Sequence, residues 1–151
     1  MQEGIGCLEY TGVRLADVLR AAGIRPGVVG FVFTGADEGV EQRVRHHFQR
    51  SLTIAEAMMP EVLLAYAANG EPLNDAHGKP LRLVKPHWYG MASVKWLTNI
   101  EVVTTPFTGF QQLHSYRYTL DDPFDDPGDP VTLQHVRAAM KPLGLPDVDT
   151  G

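Results

Sequence analysis

Apolar residues along this chain change their period several times, and each change marks an element. Val13, Leu15, Val18 and Leu19 recur at helical spacing. The run stops at Gly23 and Pro26 follows, which predicts a helix ending there. Before it, GIGCLEYTG reads as a short strand and turn with no earlier strand to pair with. Residues 28–33 form a compact apolar run, predicted as a buried strand, and the Gly-containing stretch 35–39 as the loop at its end. Polar and charged residues fill 39–49, an expected exposed excursion. Residues 53–59 suit a short helix stopped at Pro60, 62–67 a second buried strand, and Asn69-Gly70 a tight turn. A strand is predicted over 81–85 ahead of Pro86, then a turn at Trp88, Tyr89 and Gly90. A short helical turn over 92–97 and a strand over 100–104 complete the pattern.

From Asp121 the character changes. DDPFDDPGDP is acidic and Pro-rich, unsuited to regular structure, and reads as a linker. The remaining VTLQHVRAAMKPLGLPDVDTG has one strand-like run and is too short for a core of its own. The expected organisation is a first domain over 1–120, then over 121–151 a linker with the start of a second. No internal repeat is visible.

Composition adds limits rather than an identity. With 151 residues, 44% hydrophobic and 21% charged, the chain can bury one sizeable core and is not disordered in character. A net charge of -5 gives no electrostatic footprint for nucleic acid or an anionic membrane surface. No apolar run approaches membrane-spanning length, and MQEGIGCLEY lacks the regions of a signal peptide, so a soluble chain of unassigned compartment is expected. Cys7 is the single cysteine, which excludes an intramolecular disulfide and a thiolate zinc cluster.

The chemistry concentrates in HGKPLRLVKPHWYGMASVKWL. His77, Arg82, His87, Ser93 and Lys95 share one segment that is otherwise apolar and aromatic, where charge needs a partner. On a strand Arg82 alternates with Leu81 and Leu83, so its guanidinium points to the face opposite theirs. Backbone N–H groups from Gly90 to Lys95, at the start of a helical turn, favour an anion. Ser93 adds a hydroxyl and Lys95 a point charge. Two readings stand: a small-anion site, or a solvated strand edge with scattered charges.

Elsewhere the signals are weaker. His46 and His47 are adjacent, so their side chains diverge, and no third ligand is suitably spaced for a metal. His114 and His135 stand alone and are expected to be structural or solvated. Arg43, Arg45 and Arg50 could recognise an anionic substrate, but a solvated face is the simpler expectation. No Ser-His-Asp arrangement, P-loop or dinucleotide fingerprint occurs.

PEVLLAYAANGEPLNDAHGKPLRLVKPHWYGMASVKWLTNIEV resembles the molybdopterin-binding domain of the sulfite oxidase family, especially its bacterial members. NGEPL, HG-P-R, a Pro-containing turn, YGMASVKWL and PF-GF-Q follow one another in the family's order. The resemblance extends more weakly from Gly4 onward, and PVTLQHVRAAMKPLGLP resembles the start of the family's immunoglobulin-like dimerisation domain. It implies an α+β, mixed-sheet domain truncated at both ends. His77, Arg82, Ser93, Val94 and Lys95 fall on positions that hold the pyranopterin and its phosphate. Asp37 falls on an acidic position that contacts the pterin, though a turn-forming Asp would look the same. The implied cofactor is molybdenum-molybdopterin. The implied activity is oxygen-atom transfer at molybdenum, with a small oxyanion or oxo-substrate and an electron acceptor such as a cytochrome. A homodimer is implied for the full-length protein.

Three departures qualify these implications. The family's metal ligand is a cysteine in a Cys-x-Gly-Asn-Arg type motif, absent here; Cys7 falls on a variable, commonly small position. The chain is therefore expected to begin after the metal ligand and to be inactive alone. Phe107 stands where sulfite-oxidising members carry a tyrosine, which weakens sulfite as substrate. His87 stands where the family usually has Gly, so its side chain must point to solvent or narrow the cofactor cleft. Two alternatives follow: a non-catalytic molybdopterin-binding module, and a relative reducing another oxo-substrate such as methionine sulfoxide.

Overall fold

The computed structural model describes residues 7–109 except 42, together with 117–118 and 129–130. Two antiparallel sheets and two short helices enclose one core, an α+β arrangement. Strands β1 (Tyr10–Arg14), β4 (Leu63–Ala68), β5 (Glu71–Pro72) and β6 (Arg82–Val84) form the first sheet, with β4 pairing to all three others. The second runs β3 (Val44–Thr53), β2 (Gly30–Glu41), β7 (Leu97–Val103). Every ladder among the described residues is antiparallel. Helices α1 (Leu15–Ala22) and α2 (Ile54–Ala57) follow β1 and β3 and send Leu15, Leu19 and Ala57 into the core.

Local signals work where the chain needs only itself. Helix α1 ends on Gly23, whose φ of 81° lets its N–H reach the carbonyls of Leu19 and Arg20. Helix α2 is opened by Thr53 and Glu56, each capping the other's backbone N–H. Asn69 and Gly70, at φ 51° and 79°, turn β4 into β5. Leu15, Leu19, Phe31, Phe33, Leu52, Val62, Leu64, Leu83 and Val94 meet in the core. Removing nine such side chains from water is the main stabilising term.

Long-range pairing overrides three expectations. Val13 belongs to β1, opposite Leu64, so the helix starts two residues later than its apolar spacing suggests. The expected loop over 35–39 is strand: β2 continues to Glu41 because β3 pairs with it from Gly30↔Thr53 out to Glu41↔Val44. The irregular stretch is absorbed as a bulge between Thr34 and Glu38. The expected excursion over 39–49 is therefore the arm of a hairpin. The helical turn expected over 92–97 does not form. A 3-10 turn at Gly90–Ala92 is followed by Trp96 at φ 48°, and β7 starts at Leu97, paired with Gly35.

The linker and second-domain start expected over 121–151 lie outside the described residues, apart from Asp129–Pro130 (β9), which pairs with Arg117–Tyr118 (β8). His114 and His135 also lie outside them. Among the described residues no helix is long and apolar enough to cross a membrane.

Candidate functional site

Arg82 draws together the 3-10 turn Asp75–His77 and the extended chain between Gly90–Ala92 and β7, and the bulge of β2 joins that chain at Lys95 and Trp96. Arg82 sits on β6 opposite Ala65, with 7% of its surface exposed. Its neighbour Leu83 is fully buried in the core, so the alternation expected for this strand holds. Nη1 donates to the Tyr10 hydroxyl and the His77 carbonyl, each at 3.2 Å, and Nη2 donates to the Ser93 carbonyl at 3.3 Å. The guanidinium carbon also lies 5.3 Å from the centroid of the Tyr10 ring. Nε is buried and has no hydrogen-bond partner among the described residues. No ion pair found among those residues neutralises Arg82.

His77 is fixed by Asn74. The Asn74 side-chain oxygen accepts from the His77 backbone N–H at 2.9 Å and lies 2.8 Å from Nδ1. A carbonyl oxygen only accepts, so Nδ1 carries the proton and Nε2 is left for another partner. Gly78 follows at φ 94°, where a Cβ would stand 2.8 Å from the Lys95 Cβ. That close approach brings the turn onto the 93–96 stretch. Lys95 Nζ then donates to the Ala76 carbonyl at 2.8 Å, and Trp96 Nε1 to the Asp75 carbonyl at 2.8 Å.

Asp37 lies at the β2 bulge, which packs against Lys95 and Trp96. At the bulge Ala36 N–H donates to the Trp96 carbonyl at 2.8 Å. A Cβ on Gly35 would collide with Asp37 Oδ1 and stand 2.8 Å from the Lys95 carbonyl, so glycine is needed there. Asp37 Oδ1 is buried without a hydrogen-bond partner among the described residues. Asp37 is thus not a turn residue; it lies in a strand.

The predicted residues contribute unequally. Ser93 Oγ accepts from the Lys85 backbone N–H at 3.0 Å, which leaves its hydroxyl proton to donate elsewhere. Val94 is fully buried in the core, so only its backbone can face a ligand, and its carbonyl already accepts from Leu83 at 2.8 Å. The N–H groups of Ala92 and Ser93 are spent on Tyr89 and Gly90 within the 3-10 turn, so they are not the open anion-facing donors expected. His87 adopts φ 67° and is 75% exposed, 4.0 Å from Glu61. It points to solvent.

Other expectations resolve outside this cluster. His47 and Arg45 both reach Glu38, at 3.2 and 3.3 Å, on the exposed hairpin. Arg50 is not on a solvated face: it shares the face of Phe48 and Leu52 along β3 and is only 5% exposed. Tyr10, Asn74, Gly35 and Trp96 were not singled out from sequence. NG-type and capping rules could have marked Asn74 ahead of Asp75, but Tyr10 and Trp96 show no local signal.

The donor set fits an organic cofactor with one anionic end and one amide-like edge. Arg82 Nε, Lys95 and the Ser93 hydroxyl can donate to the anion, His77 Nε2 can accept from a protonated oxygen of it, and the Asp37 carboxylate can accept from ring N–H groups. It does not address a metal. No group of three or more His, Cys, Asp or Glu able to hold a metal ion occurs among the described residues, and Cys7 is exposed.

Residues 1–111 match the family model for the oxidoreductase molybdopterin binding domain. Mitochondrial sulfite oxidase of Drosophila melanogaster is 36% identical over 116 residues, covering 75% of this chain and 20% of the fly protein. The NADH nitrate reductase of Ulva prolifera is 38% identical over 98 residues, covering 62% of this chain and 11% of its own length. The crystal structure of the sulfane dehydrogenase SoxCD from Paracoccus pantotrophus superimposes with a TM-score of 0.64 at 33% identity, over 72% of this chain and 26% of that one. This chain therefore spans a fifth or less of those two enzymes and about a quarter of the SoxCD chain. By its sequence and its fold, the chain belongs to the sulfite oxidase family of molybdopterin-binding oxidoreductases.

Proposed function

We propose that this chain is the part of a molybdenum oxidoreductase that holds the pyranopterin and phosphate of the cofactor. The observation that carries it is the buried Arg82 guanidinium, unneutralised by any ion pair found among the described residues, with Nε unpartnered beside the Asp75–His77 turn. A buried cation of this kind calls for an anion. On this reading Arg82 and Lys95 neutralise the phosphate, the Ser93 hydroxyl donates to it, His77 Nε2 accepts from a protonated oxygen of it, and Asp37 accepts from the pterin ring. The backbone over 93–95 fixes the pose. When bound, the cofactor supplies oxygen-atom transfer, and the protein supplies binding, orientation and electrostatics. Residues 1–120 would form this domain, and 121–151 would lead into an immunoglobulin-like domain through which the full-length protein dimerises. Electrons would pass to a separate acceptor such as a cytochrome.

The test is Arg82→Ala in the full-length protein, with molybdenum and pterin measured per chain. Loss of both is expected; unchanged molybdenum content would overturn the assignment. A second reading, reduction of an oxo-substrate such as methionine sulfoxide, is favoured by Phe107, which offers no hydroxyl to an oxyanion such as sulfite. Assaying the full-length enzyme on sulfite and on methionine sulfoxide separates the two.

A further inference from the structure

We propose that Tyr10 is a positioning residue of this anion site, its hydroxyl and ring holding the Arg82 guanidinium so that the Nε side of the fork stays available for the anion. The inference rests on the cofactor reading above and deepens it. A guanidinium has five N–H donors in a fixed planar fork. Three are spent: two on Nη1, to Tyr10 and His77, and one on Nη2, to Ser93. Nη1 is therefore saturated, and what remains is Nε–H with one Nη2 hydrogen. With the free Nη2 hydrogen on the Nε side, those two would make the edge of the fork suited to bidentate contact with an oxyanion.

Tyr10 acts on Arg82 in two ways from a single side chain. Its hydroxyl oxygen accepts at 3.2 Å, and its ring lies 5.3 Å beneath the guanidinium carbon. The contact spans 72 residues of sequence and exists because β1 and β6 both pair with β4, Tyr10 opposite Ala68 and Arg82 opposite Ala65. A neutral phenol holds the cation without cancelling its charge. A carboxylate in the same place would compete with the ligand's anion. Because the phenol oxygen accepts from Arg82, its own proton is directed elsewhere, where it can serve as a further donor.

The test uses the whole 151-residue chain, labelled with nitrogen-15, and inorganic phosphate as the probe. The Arg82 Nε–H resonance is assigned by its disappearance in Arg82→Lys. In the parent chain that resonance is expected to shift saturably with phosphate. Tyr10→Phe, which keeps the ring and loses the acceptor, is expected to weaken phosphate binding about threefold to tenfold, with backbone amide positions otherwise unchanged. Tyr10→Leu is expected to weaken it further. Should Tyr10→Phe lose its amide dispersion, Tyr10→Gln restores an acceptor and is expected to bind phosphate more tightly than Tyr10→Leu. Phosphate affinity in Tyr10→Phe equal to the parent, with the same Nε–H shift, overturns the role of Tyr10 and leaves that of Arg82 standing. A parent Arg82 resonance indifferent to phosphate overturns both.

Discussion

Lys85, only 3% exposed, places its Nζ 3.3 Å from the thioether sulfur of Met59 and 5.4 Å from the Trp88 ring centroid. A thioether is a weak acceptor, and this one faces an ammonium withdrawn from water. Unequal costs follow for the two partners. Met59→Leu strips the cation of that acceptor and is expected to cost about 1–3 kcal/mol. Lys85→Met removes the charge along with its need and is expected to be near neutral or stabilising. Urea midpoints of the two variants decide this; equal destabilisation would show that the contact carries no such asymmetry.

Asn74 sets the proton position on His77 as well as capping the turn. Asn74→Ala is expected to lose about 0.5–2 kcal/mol, the usual range for a lost cap. It should also release His77 from a single tautomer. Nitrogen-15 shifts of the His77 ring report this directly. They should show Nδ1–H in the parent chain and a mixture in the variant.

Gly78 combines a φ of 94° with a close approach to the Cα and Cβ of Lys95, so Gly78→Ala pays both for backbone strain and for pushing Lys95 away. A loss of about 1–3 kcal/mol is expected. The hydrogen bond from Lys95 Nζ to the Ala76 carbonyl should go with it. Thermal unfolding measures the first, and cofactor content of the full-length protein the second. An unchanged melting temperature would contradict the tight approach.

His87 gives a cleaner measure of backbone strain, because its side chain is 75% exposed and lies 4.0 Å from Glu61. Its φ of 67° suits glycine. His87→Gly is therefore expected to be more stable than His87→Ala by about 1 kcal/mol. Two such variants differing in the opposite sense would mean that the backbone relaxes there at no cost.

Much of this architecture is written in short stretches of sequence, and the exceptions share a physical cause. Gly23, the Thr53–Glu56 pair and Asn69-Gly70 act on backbone groups within a few residues, so they could be read directly. Val13, the 35–39 stretch and 92–97 took their conformation from partners supplied by β4, β3 and β2. The site divides in the same way. The alternation of Arg82 with Leu81 and Leu83 was visible along one strand. The contacts that fix its guanidinium come from Tyr10, the His77 carbonyl and the Ser93 carbonyl, which no local pattern announces. Arg50 was misplaced because a charged residue in a polar run looks solvated until the strand's alternation is counted from Leu52.

The geometry around Arg82 makes charge alone insufficient. Lysine carries the same charge on a single ammonium with three donors, and cannot reach Tyr10, His77 and Ser93 while presenting a planar edge to a ligand. Arg82→Lys in the full-length protein is therefore expected to lose molybdenum and pterin nearly as completely as Arg82→Ala. Lys95 is a different case. Its ammonium makes one backbone contact and keeps two donors, so Lys95→Arg should retain most of the cofactor and Lys95→Ala should lose only part of it. Molybdenum content and the fluorescence of the oxidised pterin, measured on all four variants, test the ordering. Arg82→Lys retaining parental molybdenum would mean that a positive charge suffices, and the fork geometry would then have no part in holding the cofactor.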